Sequence, residues 1–243
     1  MQTIFLLSLR ALTRGRRPLV IAALLAVPAL LAVAYVGSEA HPNGPKFAVQ
    51  LIDLLFLPVL LPLTALLLAT TALGGEIEDG TLIYLTLRPI SRLALVVAKL
   101  LAATAVAAAL IAISVAVTYV IAANGSYDGR TLGALLLASL AGCLVYCSLF
   151  LLLGLLFPRR GLIVGFIYVL AWEGGAAAVS TALATLSVRR YLLSTLHAGL
   201  GASPLADLQH ASVGGAVSIV VLSAMVCAGV AITTWRLRQM ELR

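Results

Sequence analysis

An all-α integral membrane protein, with an N-terminal amphipathic interfacial helix and six transmembrane helices, is the fold class predicted here, and three observations predict it. Hydrophobic residues make up 62% of the 243-residue chain and charged ones 10%, against about 25% charged in a soluble domain. The apolar residues gather in six stretches, each long enough for the roughly 20 residues that a spanning helix needs. These stretches are apolar on every side, whereas the strands of a membrane barrel alternate apolar and polar residues over about ten positions.

Residues 1–17 form the entry segment. Phe5, Leu9 and Leu12 fall on one helical face and Thr3, Arg10, Arg14 and Arg17 on the opposite one, the pattern of a helix lying in the membrane interface. Leu6 interrupts the polar side, and a basic flank that only sets topology is the alternative. Residues 18–243 are expected to be one six-helix domain. Its first span is Pro18 to Gly37. The Arg residues ahead of it and Ser38-Glu39-Ala40 behind it imitate a signal peptide, but a run of about 18 apolar residues exceeds a usual signal core, so the span is expected to be retained. The others run from Leu51 to Leu73, Leu93 to Ala123, Leu132 to Leu156, Gly161 to Leu186 and Val213 to Trp235. The third exceeds the bilayer core and is expected to project beyond it.

Orientation follows from the Lys and Arg flanking the spans. With the N-terminus inside, the cytoplasmic side holds Arg10, Arg14, Arg16, Arg17, Arg88, Arg92, Lys99, Arg159, Arg160, Arg236, Arg238 and Arg243, against Lys46, Arg130, Arg189 and Arg190 outside. Both termini are therefore expected in the cytoplasm. The net charge of +7 then reflects topology and the anionic inner leaflet, and nucleic-acid binding is excluded.

Between the second and third spans, residues 74–92 hold a dense polar island, Glu76-Ile77-Glu78-Asp79-Gly80-Thr81-Leu82 followed by Leu87-Arg88-Pro89-Ile90-Ser91-Arg92. Charges this close together cannot rest in hydrocarbon, so the segment faces water and a water-soluble partner. Gly74-Gly75 ends the second span, Asp79 or Thr81 caps about two turns of helix, Arg88 suits its C-terminal end and Pro89 stops it. Ser91 then starts the third helix.

Glu76-x-x-x-Gly80-Thr81-Leu82, the Arg88-Pro89-Ile90-Ser91-Arg92 step and Lys99 resemble the first cytoplasmic loop of ABC-2 type permeases, the membrane subunits of a class of bacterial ATP-binding-cassette exporters. The entry helix, the six spans and Trp172-Glu173 in the fifth extend the resemblance over nearly the whole chain. It implies a coupling helix docked on an ATPase, with Glu76, Glu78, Asp79, Gly80, Thr81, Tyr84, Arg88 and Arg92 as contact candidates. Ile83 departs from the acidic residue that often follows Thr-Leu in relatives. It also implies a second permease copy or a homologue, and residence in the bacterial cytoplasmic membrane.

The chain lacks the Gly-x-x-x-x-Gly-Lys-[Ser/Thr] loop that cradles nucleotide phosphates, so ATP and Mg are expected on a separate ATPase subunit. No His-Glu-x-x-His pattern or Gly-x-Ser-x-Gly elbow is present, and neither catalytic nor metal-binding residues are assigned. Cys143, Cys147 and Cys227 fall in apolar runs as packing residues.

Two acidic residues lie within spans. Asp53, near the start of its helix, is expected to reach the outer headgroups. Glu173 lies deep in the fifth span, where a carboxylate is costly unless paired or watered. Gly174-Gly175 behind it could open the helix and give it backbone partners. Both a structural hydrogen-bonding role and substrate or proton handling remain open for it.

Small residues at four-residue spacing, among them Ala134, Ala138 and Gly142, predict close helix packing. Residues 187–212 are expected to fold onto the outer surface as short helices, as a lid or a lipid-interface anchor. The functional expectation is the permease of an ATP-driven exporter, with a proton-coupled carrier using Glu173 or a non-transporting scaffold as alternatives. Short outer segments favour export, and apolar spans favour a hydrophobic or amphiphilic substrate.

Overall fold

The computed structural model describes residues 2–13, 17–37, 44–78, 91–125, 128–176, 187–200 and 213–240. Among these every regular element is a helix: α1 (Gln2–Thr13), α2 (Arg17–Gly37), α3 (Gly44–Leu51), π1 (Ile52–Leu60), α4 (Leu61–Glu78), α5 (Arg92–Ala123), α6 (Gly129–Leu156), α7 (Gly161–Tyr168), π2 (Val169–Ala176), α8 (Val188–Leu200) and α9 (Gly215–Met240). Five stretches among the described residues are long and apolar enough to cross a membrane: Pro18–Gly37, Gly44–Gly75, Arg92–Ala123, Gly129–Leu156 and Gly215–Gln239. The chain is a multi-pass membrane protein.

Local sequence explains where these helices begin and stop. Ser91 caps α5, its side chain accepting from the amide of Ala94 at 3.4 Å, as expected of a hydroxyl at a helix entry. At the far end Asn124 adopts a left-handed φ of 42° and Gly125 one of 95°, closing the helix. Asp128 caps α6 through the amides of Arg130 and Thr131. The second span starts earlier than Leu51, since α3, π1 and α4 run on continuously from Gly44. Gly44 is pressed against the carbonyl of Ala122, leaving no room for a side chain there, and Tyr35 stacks on Phe47 with centroids 3.8 Å apart.

α6 is the centre of the bundle, packing against α4, α5, α8 and α9. Its tightest seam is with α4. A Cβ at Gly154 would lie 2.7 Å from the carbonyl oxygen of Thr70, and one at Gly74 would lie 3.1 Å from the carbonyl of Gly154. Small residues let these backbones touch. α2 and α9, by contrast, are largely exposed along their lengths, and Cys227 is exposed on α9, unlike the buried Cys143 and Cys147.

The fifth predicted span is the main departure. Helix from Gly161 continues only through π2 to Ala176 among the described residues. Ser187 then donates to Glu173 at 2.6 Å. An unbroken helix would hold residues 173 and 187 about 21 Å apart at 1.5 Å per residue, so the two do not lie on one straight helix; residues 177–186 lie outside the described residues. Hydropathy reports apolar length and is blind to such a contact. Of residues 187–212, Val188–Leu200 form the short helix α8, which lies along α6 with Gly199 against Ala134 and Leu192 against Gly142; residues 201–212 lie outside the described residues. Those two α6 residues belong to the small-residue row read from the sequence.

Candidate functional site

The two carboxylates that the sequence places within spans, Asp53 and Glu173, both lie in π-helical turns, and the wide turns have local causes. A π turn replaces i to i+4 bonding with i to i+5, as where the amide of Leu61 donates to the carbonyl of Phe56. Pro58 lies inside π1 and Pro62 follows near the start of α4, so two donors are missing from the ladder. π2 begins at Val169, ahead of the Gly174-Gly175 pair expected to open the helix, and carries Glu173.

Glu173 is fully buried. Its oxygens accept from the Ser187 hydroxyl at 2.6 Å, the Val188 amide at 3.2 Å and the Tyr168 hydroxyl at 3.4 Å. A buried carboxylate is tolerable when donors replace its lost hydration. Val188 is the first residue of α8, so the carboxylate satisfies an orphan amide at a helix N-terminus and places negative charge at its positive end. The opposite end of α8 receives a cation, since Arg130 Nε donates to the carbonyl of Gly199 at 3.1 Å. The hydroxyl of Tyr146 lies within electrostatic reach of Glu173 but outside hydrogen-bond geometry.

Asp53, expected to reach the outer headgroups, has a partner within the protein. It is buried on π1 and pairs with Arg189, whose Nη2 lies 2.9 Å from its carboxylate and 3.3 Å from its carbonyl oxygen. Three consecutive residues, Ser187, Val188 and Arg189, therefore grip a carboxylate on each of two spans. The sequence carried one signal of this pairing: Asp53 is the acidic residue of a span assigned to the side where Arg189 is one of four basic residues.

At the other end of the bundle Lys99 is buried on α5 and donates to the carbonyl of Ala72 on α4 at 2.7 Å. Lysine near the C-terminal end of a helix meets the negative end of its dipole. This bond ties together the two helices that flank residues 79–90. Of the expected contact residues, Glu76 and Glu78 belong to the last turn of α4, with their side chains outside the described residues. Asp79, Gly80, Thr81, Tyr84 and Arg88 also lie outside the described residues, and Arg92 opens α5 partly exposed.

α1 turns Phe5, Leu9 and Leu12 toward the bundle, while Arg10, Leu6 and Leu7 are exposed. Arg14 and the side chain of Arg17 lie outside the described residues. No group of three His, Cys, Asp or Glu side chains placed to hold a metal occurs among the described residues.

A family model described as ABC-2 family transporter protein matches residues 16–172, well over half of the chain. No curated protein matches it. The matched stretch includes Asp53, Lys99 and the polar island and stops one residue short of Glu173, so the grip of α8 on the two carboxylates is read from this chain's own geometry.

Proposed function

Because the chain belongs to the ABC-2 family of transporter proteins, we propose that it is the permease subunit of an ATP-driven exporter, moving a hydrophobic or amphiphilic substrate outward by alternating access. The energy comes from a separate ATPase chain, which binds ATP and Mg. Two such permeases, or one and a homologue, face each other in the bacterial cytoplasmic membrane, with both termini and residues 74–92 in the cytoplasm. α1 lies in the inner interface as an amphipathic entry helix.

The observation that carries this reading is the Lys99 to Ala72 bond. It joins α4 and α5 next to the polar island, so a displacement applied at residues 79–90 reaches both helices together. A coupling element needs that property. The three donors already committed to Glu173 support a positioning role over proton carriage, because a titrating carboxylate would have to release them in each turnover.

Purification from the native membrane tests the proposal. An ATP-hydrolysing chain is expected to copurify and to be lost on Glu78→Arg combined with Arg88→Glu, while the spans remain assembled. Copurification that survives the double reversal would show that the polar island is not the docking element. A chain that never captures an ATPase would return the scaffold or carrier readings.

A further inference from the structure

We propose that Ser187, Val188 and Arg189, with Asp53 and Glu173, form a polar latch that holds α8 against α6 and releases it when the pathway opens at that end. The inference rests on the transport reading above and adds a moving part to it.

Four observations meet at this point. First, π-helical turns occupy well under 1% of residues in proteins and gather at functional sites, yet Asp53 and Glu173 each stand in one. Second, an ion pair in a low-dielectric site contributes little net stability, since well-packed apolar residues serve as well or better, and its best-attested use is to fix a register or a switch. Asp53 and Arg189 are such a pair in a chain of apolar spans.

Third, the contact that the latch guards is close and apolar. α8 meets α6 through Gly199 on Ala134 and Leu192 on Gly142, and its Leu192, Leu196 and Leu200 are buried, so the face kept covered at this point is apolar. Fourth, the Arg189 and Asp53 side chains keep 24% and 12% of their surface exposed, so the pair lies toward the edge of the bundle rather than sealed in its core. Arg130 holds the far end of α8 by one carbonyl, a contact suited to a pivot.

Ala138 lies between Ala134 and Gly142 on the α6 row that α8 covers, and it is buried. In the full chain in membrane vesicles, with Cys143→Ala, Cys147→Ala and Cys227→Ala, the thiol introduced by Ala138→Cys reports separation by its reaction with a water-soluble maleimide. With the latch intact the thiol is expected to be protected. Asp53→Asn with Arg189→Gln is expected to speed its modification at least tenfold, and Asp53→Glu with Arg189→Lys, which keeps the opposite charges, to leave it protected.

Asp53→Leu with Arg189→Met removes the same pair without leaving buried polar groups, and it stands in if the amide pair does not fold. A folded protein lacking the pair that labels at the intact rate overturns the latch. Failure to capture an ATPase would remove the transport reading and leave the labelling difference standing, so the two outcomes are distinct.

Discussion

Removing the Glu173 carboxylate asks how much the grip on α8 contributes. Glu173→Ala deletes the acceptor of three donors, the Ser187 hydroxyl, the Val188 amide and the Tyr168 hydroxyl. The Ser187 hydroxyl can turn elsewhere and the Tyr168 hydroxyl is only part-buried, which leaves the buried Val188 amide without a partner, at about 1–3 kcal/mol. Polar contacts between membrane helices average about 0.6 kcal/mol in double-mutant cycles, which would give about 2 kcal/mol for three. The two figures overlap, and the change also strips a negative charge from the N-terminus of α8, worth up to about 2 kcal/mol in a partly buried setting.

Glu173→Gln keeps one acceptor oxygen for the Val188 amide and presents an amide nitrogen to Ser187, whose hydroxyl rotates to accept. Neutral bonds replace charge-assisted ones, a loss of about 1–2 kcal/mol. Denaturant unfolding in detergent gives the two costs, and hydrogen exchange of the first α8 amides shows where they fall. The expected order is Ala worse than Gln, with early exchange concentrated at the start of α8. Glu173→Ala within about 0.5 kcal/mol of the native chain, the range of a neutral surface change, would refute the reasoning.

The remaining predictions concern packing, coupling and pH. Gly154→Ala presses a methyl against the Thr70 backbone and is expected to cost about 1–3 kcal/mol, while Gly133→Ala meets nothing within 4 Å and is expected to leave the melting temperature unchanged or slightly raised; the two melts measured side by side check the α4 to α6 seam. Pro58→Ala is expected to leave the Ala138→Cys thiol protected and the fold intact, read by the same maleimide assay. Lys99→Met is expected to retain the ATPase partner on purification but to lose permease-stimulated ATP hydrolysis, with Lys99→Arg intermediate. Asp128 is held below the ordinary Asp value of 3.8, chiefly by the Thr131 hydroxyl and then by the Arg130 amide. A carboxylate with a lowered folded pKa contributes stability above its unfolded value and loses it as pH falls through the folded one. The stability difference between the native chain and Asp128→Asn is therefore expected to be present at neutral pH and to shrink as pH falls below the ordinary Asp value, as followed by acid unfolding.

Span by span, legibility follows the kind of signal involved. The first, third, fourth and sixth spans were readable because a run of apolar residues of bilayer length has few alternatives to a helix, and Ser91 was readable as a cap because capping is local. The fifth was read as one helix to Leu186 because residues 161–186 stay apolar; among the described residues its helix runs to Ala176 and Ser187 lies against Glu173, a contact that no local pattern records. Asp53 was assigned to headgroups because its partner lies 136 positions away. Lys99 entered as a topological charge, since nothing around it announces a bond to Ala72. Glu173 was singled out as an intramembrane acid, while its partners Ser187 and Val188 were assigned to the outer surface. The coupling contacts were proposed from the polar island alone, and most of those residues lie outside the described part of the structure.

The second span shows why the polar ties at its two ends are separable. Ala72 and Asp53 are 19 residues apart on one continuous helical rod, about 28 Å at 1.5 Å per residue, with π1 and Pro58 toward the Asp53 end. Were π1 to relax to a regular α-helix, one residue would be absorbed and everything before it, Asp53 included, would turn by about 100° relative to α4, aiming the carboxylate away from Arg189. Relaxation would restore regular i to i+4 bonding. It would also displace Ile52, Phe56, Leu57 and Leu60, all essentially buried, and close side-chain packing is what drives helix association in a bilayer, where lipid tails are as apolar as leucine. Packing against the bundle thus opposes the return to a regular helix, and π1 is held by its apolar neighbours as well as by Pro58. On the proposed coupling, a tilt of α4 driven from the Lys99 end would reach π1 as a load on that packing, and the Asp53–Arg189 pair is the polar contact through which π1 would pass it to α8.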